Sequence, residues 1–340
     1  MADNKEFRVF IIGDHTSGTG PAIVTKELIR AMPKGTISLK TMNKLSRALE
    51  IARGIPAADA VLFSGYSRQN LYGMRLAHFF GKKCAYLMHG CVEYENEINR
   101  VPDAAMARDE RRMLAGADLI LGVSRQFEQW LKERYLAYKD KISHLTNGID
   151  WELFTESAGD QTRDPRGIIS VGGGMPRKKI VNLCKALQKL KDEGLDGLTL
   201  TVAGDEGADS GEIDSFEFVN NVGLVPHEKL IELYHKNKLF IQNSCFETFG
   251  LAPLEALLSG ADILVSSKCG VLSVIKKTEP QDIIGDTEDI SEIAEKIKAL
   301  LSSENHTRLI CELDKESTSW KRRSEELMKL MKDLAGSGNI

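Results

Sequence analysis

Two carboxylates, Glu247 and Glu255, stand in the stretch LFIQNSCFETFGLAPLEALLSG over 239–260. The apolar run ends near Asn243 and a helix starts near Gly250, with Pro253 in its first turn and Gly260 as its stop. Glu247 then falls in the loop and Glu255 about a turn inside the helix. A helix N-terminus offers unpaired N–H groups and a partial positive charge, which suit an anion such as a diphosphate. Gly250 lets a ligand come close to those groups. A loop carboxylate can accept hydrogen bonds from sugar hydroxyls, and a second one further along can clamp the cis-diol of a ribose. The carboxylates alone leave another reading open, in which Glu255 is a solvated helix residue and Glu247 a favourable charge before the first turn.

Three more stretches could carry chemistry. In SVGGGMPRKKI (170–180) a strand ends at Val171, a glycine run turns the chain, and basic residues open the next helix. Glycines allow close approach to a ligand, and Arg177 or Lys178 could neutralise a diphosphate; the alternative is a basic helix start on the surface. His89 follows the apolar run CAYLM and precedes Gly90, a place where a lone histidine is more often structural. GDHTSGTGPA (13–22) turns after the first strand and enters a helix at Pro21. Its Gly18, Thr19 and Gly20 form a tight turn, but Ile23 occupies the third glycine position of a dinucleotide fingerprint, which argues against such a cofactor.

With FETFG in place, Glu247, Phe249, Gly250 and Glu255 fill every fixed position of E-x-F-G-x-x-x-x-E, and the stretch resembles the signature of glycosyltransferase family 4. The resemblance implies a GT-B fold, two doubly wound Rossmann-like domains facing a central cleft. It also implies a metal-independent, configuration-retaining hexosyl transfer with no cofactor. The donor would be a nucleoside-diphosphate sugar, UDP favoured over GDP. Glu247 would orient the donor sugar, Glu255 the ribose, and His89 would sit near the sugar, making His89, Lys178 and Glu247 the catalytic set. Donor contacts would come from Gly18, Gly20, Gly173, Arg177, Lys178, Thr248, Phe249, Gly250, Leu251 and Glu255. The family's V-G-R-L-x-x-x-K-G element aligns Lys178 with its lysine, but Gly173 stands at its arginine and Lys179 at its last glycine. Arg177 is then the cation that could replace the arginine from a shifted position. LTNGIDWELF (145–154), VNNVGLVPHEKLIELY (219–234) and STSW (317–320) resemble further family segments in the right order, the second of them as a loop that holds the base. Two rival readings stay open: a non-catalytic nucleotide-sugar-binding subunit, kept alive by Gly173, and a GT-B sugar-nucleotide epimerase.

Elements of a particular kind must hold these residues. Short, β-branched apolar runs alternate with amphipathic helical stretches along the chain, the pattern of parallel α/β layers. Strands are expected over 8–12, 60–64, 84–88, 119–123, 168–172, 198–204, 239–243 and 262–267, and helices over 22–32, 105–115, 179–192, 289–302 and 317–335. The 340 residues fit two domains, divided by the polar stretch TESAGDQTRDPRG over 155–167. The expected plan is an acceptor-binding domain over 1–155, a nucleotide-sugar domain over 156–316, and a C-terminal helix over 317–340 that crosses back. A net charge of −4 argues against a nucleic-acid partner. Six scattered cysteines, no signal-peptide pattern and no apolar run near the ~18–20 residues of a membrane span point to a cytoplasmic chain. Arg108, Arg111 and Arg112 on one helix could touch the inner face of a membrane, or pair with Asp109 and Glu110 as a solvated face. The acceptor is a glycan, glycolipid or small-molecule hydroxyl, with surface polysaccharide or glycolipid synthesis the family-level expectation.

Overall fold

The structure is a computed structural model and describes residues 6–41, 43–155 and 162–336. The chain packs as two units. The first comprises residues 1–93, 103–148 and 316–340, the second 94–102 and 149–315. The expected boundary stretch lies in part, at 156–161, outside the described residues, while Asp164–Gly167 already belongs to a strand.

In the first unit the strands are β1 (Val9–Gly13), β2 (Ile37–Ser38), β3 (Ala60–Ser64), β4 (Lys83–Met88), β5 (Leu119–Gly122) and β6 (Ile142–His144). They pair in parallel in the order β2-β1-β3-β4-β5-β6. The second unit has β7 (Asp164–Val171), β8 (Thr199–Ala203), β9 (Val219–Gly223), β10 (Asn237–Gln242), β11 (Asp262–Ser266) and β12 (Ile283–Ile284). These run in parallel in the order β12-β11-β10-β7-β8-β9. Read from β9, that is the 3-2-1-4-5-6 order of a dinucleotide-type fold, reversing direction between β7 and β10. The first sheet reverses between β1 and β3. In such sheets ligands collect at the carboxyl ends of the strands flanking the reversal.

β1, β3 and β11 are buried along their length, and β4, β10 and the second half of β7 nearly so; they read as apolar runs and match expectation within a residue or two, apart from the earlier starts of β7 and β10. Four strands escape that signal: β2, β6, β9 and β12. Each except β6 has two residues or an exposed middle, and all lie at or beside a sheet edge, where a side chain need not be apolar. VNNVG, expected as a loop, is such an edge strand. In the second unit Ile168, Leu200, Leu239, Ile241 and Leu264 of the sheet pack against Leu183, Leu187 and Leu190 of the helix Ile180–Asp192 and Ile293, Ile297 and Leu300 of Ile290–Ser302. Asp289 caps the latter, accepting from Ser291 N and Glu292 N.

The C-terminal stretch forms one helix, Trp320–Gly336, within the first unit; Leu327 and Met331 are buried, while Met328 and Leu334 are partly exposed. Gly148 of the NGID segment makes room for its Trp320 ring, since a Cβ there would lie 2.7 Å from Trp320 Cδ2. The arginine face resolves differently from expectation. Arg112 and Arg68 both hold Asp109, and Arg111 pairs with Glu93. Glu110 is fully buried and accepts from Val92 N and Glu93 N, at the start of the helix Val92–Ile98. Helix N-terminal amides attract a carboxylate more strongly than an exposed arginine does. Among the described residues no helix is long and apolar enough to cross a membrane.

Candidate functional site

β7 and β10 flank the reversal of the second sheet, and the loops leaving their carboxyl ends carry the candidate residues. After β7 the chain turns through Gly172, Gly173 and Gly174, the first two at φ +144° and +53°. A Cβ at Gly173 would lie 2.0 Å from the Asp205 carbonyl oxygen, and one at Gly174 2.1 Å from Ser210 Oγ. No arginine fits at Gly173. Arg177 and Lys178 lie in the 3-10 turn Pro176–Lys178, ahead of the helix instead of within it. Lys179 then takes φ +50° at the helix entry. This is the left-handed conformation a glycine would adopt most easily, at the position where the resembled element has one.

After β10 the loop reaches Glu247, whose carboxylate is held by Lys178 Nζ and lies 3.5 Å from Arg177 Nη1. Burial on its own would raise the Glu247 pKa. The Lys178 ammonium, and after it the Arg177 guanidinium, outweigh that effect and hold the carboxyl below its ordinary value, so it is ionised at neutral pH. The loop is braced from behind: Glu247 N donates to Lys268 O, Gly270 N to Glu247 O, and Val271 N to Phe249 O. Phe249 is a core side chain and Thr248 is buried, so Phe249 can meet a ligand only through its backbone. Gly250, at φ +85°, caps the helix Leu251–Leu258, and Leu251 is its first residue.

Arg177 is enclosed. Its Nη1 donates to Phe246 O at 3.3 Å, its Nη2 lies 3.7 Å from Glu95, and its backbone N donates to Asn99 Oδ1 at 3.2 Å. Its Nε–H is buried with no hydrogen-bond partner among the described residues. Glu95 and Asn99 come from 94–102, the short piece of the early sequence that packs with the second unit, and Tyr94 meets the Phe246 ring edge-on at 4.9 Å. Nothing local in the sequence marks these residues; only the fold brings them to Arg177.

Glu255 is buried, not a solvated helix residue. Its Oε2 accepts from Tyr234 OH at 3.1 Å, and its Oε1 lies 3.5 Å from His227 Nε2. Burial, reinforced by this carboxylate, pushes the Tyr234 phenol well up, so the hydroxyl remains a donor. Tyr234 and His227 lie at the end and start of the helix His227–Lys236, more than twenty positions before Glu255, and had no signal beyond the segment's family-like look.

The remaining candidates belong to the first unit. Gly18, at φ +74°, is exposed, and Gly20 is the first residue of the helix Gly20–Ala31, with Thr19 as its cap. His89 follows β4; burial lowers its pKa to about 4, so the ring is neutral at pH 7. Its Nε2 lies 2.8 Å from Ser64 Oγ at the end of β3. Among the described residues one group has metal-ligand chemistry, His78, Cys84 and Asp118, with ligand atoms within 4.8 Å of one another. It lies at the amino end of β4. Asp118 already accepts from Lys83 Nζ at 3.0 Å and from Cys84 N at 2.9 Å, and burial pushes the Cys84 thiol far up, so this is a structural knot.

Residues 156–317 match the family model of glycosyl transferases group 1. The chain is 26% identical over 304 residues to D-inositol 3-phosphate glycosyltransferase 1 of Catenulispora acidiphila, covering 81% of this chain and 72% of that one. A shorter stretch, 188 residues, is 24% identical to glycogen synthase of Mycobacterium tuberculosis, covering 52% of this chain and 45% of the other. Among solved structures, sucrose-phosphate synthase of Thermosynechococcus elongatus superposes with a TM-score of 0.70 at 15% identity, over 98% of this chain and all of that one. Anabaena HepE in complex with UDP-glucose does so with a TM-score of 0.70 at 12% identity, over 96% and 100%. The two Rossmann-like sheets are those of the GT-B fold. The sequence likenesses support the glycosyltransferase superfamily, and the chain is a transferase.

Proposed function

We propose that the chain is a retaining family 4 glycosyltransferase that moves a hexosyl group from a UDP-sugar to an acceptor hydroxyl without a metal or cofactor. The observation that carries this is the Arg177–Lys178–Glu247 cluster at the sheet reversal, beside an open-phi glycine turn and a helix N-terminus. The orphaned Arg177 Nε–H is a buried charged donor that a phosphate oxygen would satisfy. Lys178 and Arg177 would stabilise charge growing on the leaving diphosphate, the role a divalent ion plays elsewhere. As the donor draws Lys178 onto its phosphates, Glu247 would be released toward the sugar hydroxyls. Glu255, fixed by Tyr234, would hold the ribose, and His89 would lie near the sugar. HepE, of the same fold, is named as a UDP-glucose complex, which favours UDP over GDP here.

Arg177 also bears on the rival of a non-catalytic binder, which rested on the absent arginine: the cation is present, though displaced along the chain. The acceptor is proposed to be a glycan or glycolipid intermediate of surface polysaccharide synthesis, used at the cytoplasmic side of a membrane. The test is a panel of nucleotide sugars with thermal unfolding and product detection. A UDP-sugar should raise the midpoint and be consumed; a panel in which only free sugar nucleotides interconvert would favour an epimerase and overturn the proposal.

A further inference from the structure

We propose that the outer face of two neighbouring helices of the first unit, Lys44–Ala57 and Arg68–Phe79, docks on an anionic lipid surface. Each helix carries two rows of side chains. In the first, Arg47, Ile51 and Ile55 are buried, while Leu45, Leu49, Ala52 and Pro56 form an exposed row. In the second, Leu71, Met74 and Ala77 are buried, while Arg68, Tyr72, Arg75 and Phe79 form the exposed row. Both outer rows step by four, three and four residues, the spacing of one helix face. The helices run side by side in the same direction. Gln69 Nε2 donates to Lys44 O at 3.0 Å, Arg47 Nη2 donates to Asn70 Oδ1 at 2.9 Å, and a Cβ at Gly73 would lie 3.3 Å from Ile51 Cγ2. Leu45 is 80% exposed and Phe79 82%, and Phe79 meets the ring of Phe80, the residue that ends its helix, edge-on at 5.4 Å. Of the nine exposed large hydrophobic side chains among the described residues, five stand on these two helices and Phe80. Exposed apolar residues scattered singly need no cause, but a cluster of them marks a surface that something covers.

Charge decides what covers it. Residues 44–83 hold seven lysines and arginines against two carboxylates, a net of +5 in a chain whose total is −4. Both carboxylates are engaged elsewhere: Glu50 accepts from Lys40 N, and Asp59, beyond the end of the first helix, accepts from Arg8 N. Lys44, Arg53, Arg75 and Lys82 form no ion pair among the described residues, and Arg75 lies 5.7 Å from the centre of the Tyr72 ring. The arginines of Ala104–Gly116 differ, since Arg111 and Arg112 spend their charge on Glu93 and Asp109. A face of leucines and aromatic rings interleaved with unpaired cations suits the boundary of an anionic bilayer. Its rings and leucines enter the headgroup layer, and the long basic side chains reach the lipid phosphates from beside them. No spanning helix is needed for this. Docking does not depend on the reaction proposed above, because binding to lipid requires no donor.

The test is co-sedimentation of the full chain with vesicles of phosphatidylcholine alone, and with about 30% phosphatidylglycerol added, at low salt and at about 0.5 M salt. The parent should bind the anionic vesicles at least about tenfold more tightly than the neutral ones, and high salt should remove most of that difference. Leu49→Ser with Phe79→Ser takes away apolar anchors, and Arg53→Gln with Arg75→Gln takes away two cations; each pair should weaken binding about tenfold. All four side chains are exposed, so the unfolding midpoints should match the parent's. Each pair is read by itself, so a pair that misfolds leaves the other decisive. No binding to either vesicle, equal binding to both, or parent-like binding by a folded pair overturns the proposal. A concentration-dependent dimer in light scattering that Leu49→Ser with Phe79→Ser abolishes overturns it too, because a second copy of the chain would then cover the face. A chain that binds anionic vesicles but transfers no sugar would remove the proposed reaction and leave the docking face standing.

Discussion

At Glu247 a carboxylate and two cations hold one another in a nearly dry site, and the balance is measurable. Its pKa is depressed in the folded chain, so its contribution to stability is present above the ordinary carboxylate value of 4.5 and is lost as the pH falls through the folded value. Lys178→Ala removes the strongest opposing charge and so shrinks the depression; the variant should be less stable at pH 7 and lose less of its stability on acidification, seen by comparing urea midpoints at pH 7 and pH 4. The same variant should slow transfer by roughly 10²–10³, the usual loss for one oriented charge-stabilising group. His89 behaves as a base with a lowered pKa. Between its ordinary 6.5 and its folded value of about 4, the unfolded chain binds the extra proton, so stability should fall as pH drops through that window and level off below it. His89→Gln should flatten that part of the stability–pH curve; an identical slope in both proteins would remove burial as the source of the shift.

At the scale of elements, the two loops tolerate change very differently. Gly173 combines φ +53° with a backbone oxygen 2.0 Å from any added Cβ, and backbone cannot move aside as a flexible side chain can. Gly173→Ala should therefore cost more than about 4 kcal/mol or prevent the second unit from folding. Gly250 has φ +85°, but the nearest atom to a Cβ is Glu247 Cγ at 3.1 Å. Gly250→Ala should cost about 1–2 kcal/mol of left-handed strain and mainly raise donor KM by displacing Glu247. Chemical denaturation and steady-state kinetics on the two variants separate these outcomes; equal costs would mean that the glycine turn is not packed as described. Behind both loops, Leu187 is fully buried among sheet residues, and Leu187→Ala should cost about 2–5 kcal/mol without a specific effect on KM.

For the whole molecule, the notable arrangement is that residues 94–102 pack with a unit otherwise built from 149–315. Glu95 and Asn99 brace the guanidinium and the backbone of Arg177 from a segment far earlier in the sequence. Asn99→Ala together with Glu95→Gln should lower the midpoint, since the Arg177 N–H loses its acceptor, and weaken UDP binding about three- to tenfold. Titration calorimetry with UDP reads this directly. In the parent chain UDP at a hundred times its Kd should stabilise the protein by about 2.7 kcal/mol through mass action. Lys178→Ala should lose most of that gain.

The sequence by itself determined the doubly wound α/β plan, because strands buried on both faces must be continuously apolar and helices packed on them must be amphipathic. It also marked Glu247, Glu255, Lys178 and the glycine turn, since a helix entry, a loop carboxylate and a positive-φ turn are local matters of residue type and spacing. The edge strands β2, β6, β9 and β12 were not legible, because an edge needs neither length nor apolar side chains. Nor were the partners. That Arg177 and Lys178 meet Glu247, that Glu95 and Asn99 brace Arg177, and that Tyr234 holds Glu255 were all decided by the tertiary structure. Hydrogen bonds and ion pairs act over about three to four ångströms, and only the folded chain brings residues so far apart in sequence within that reach.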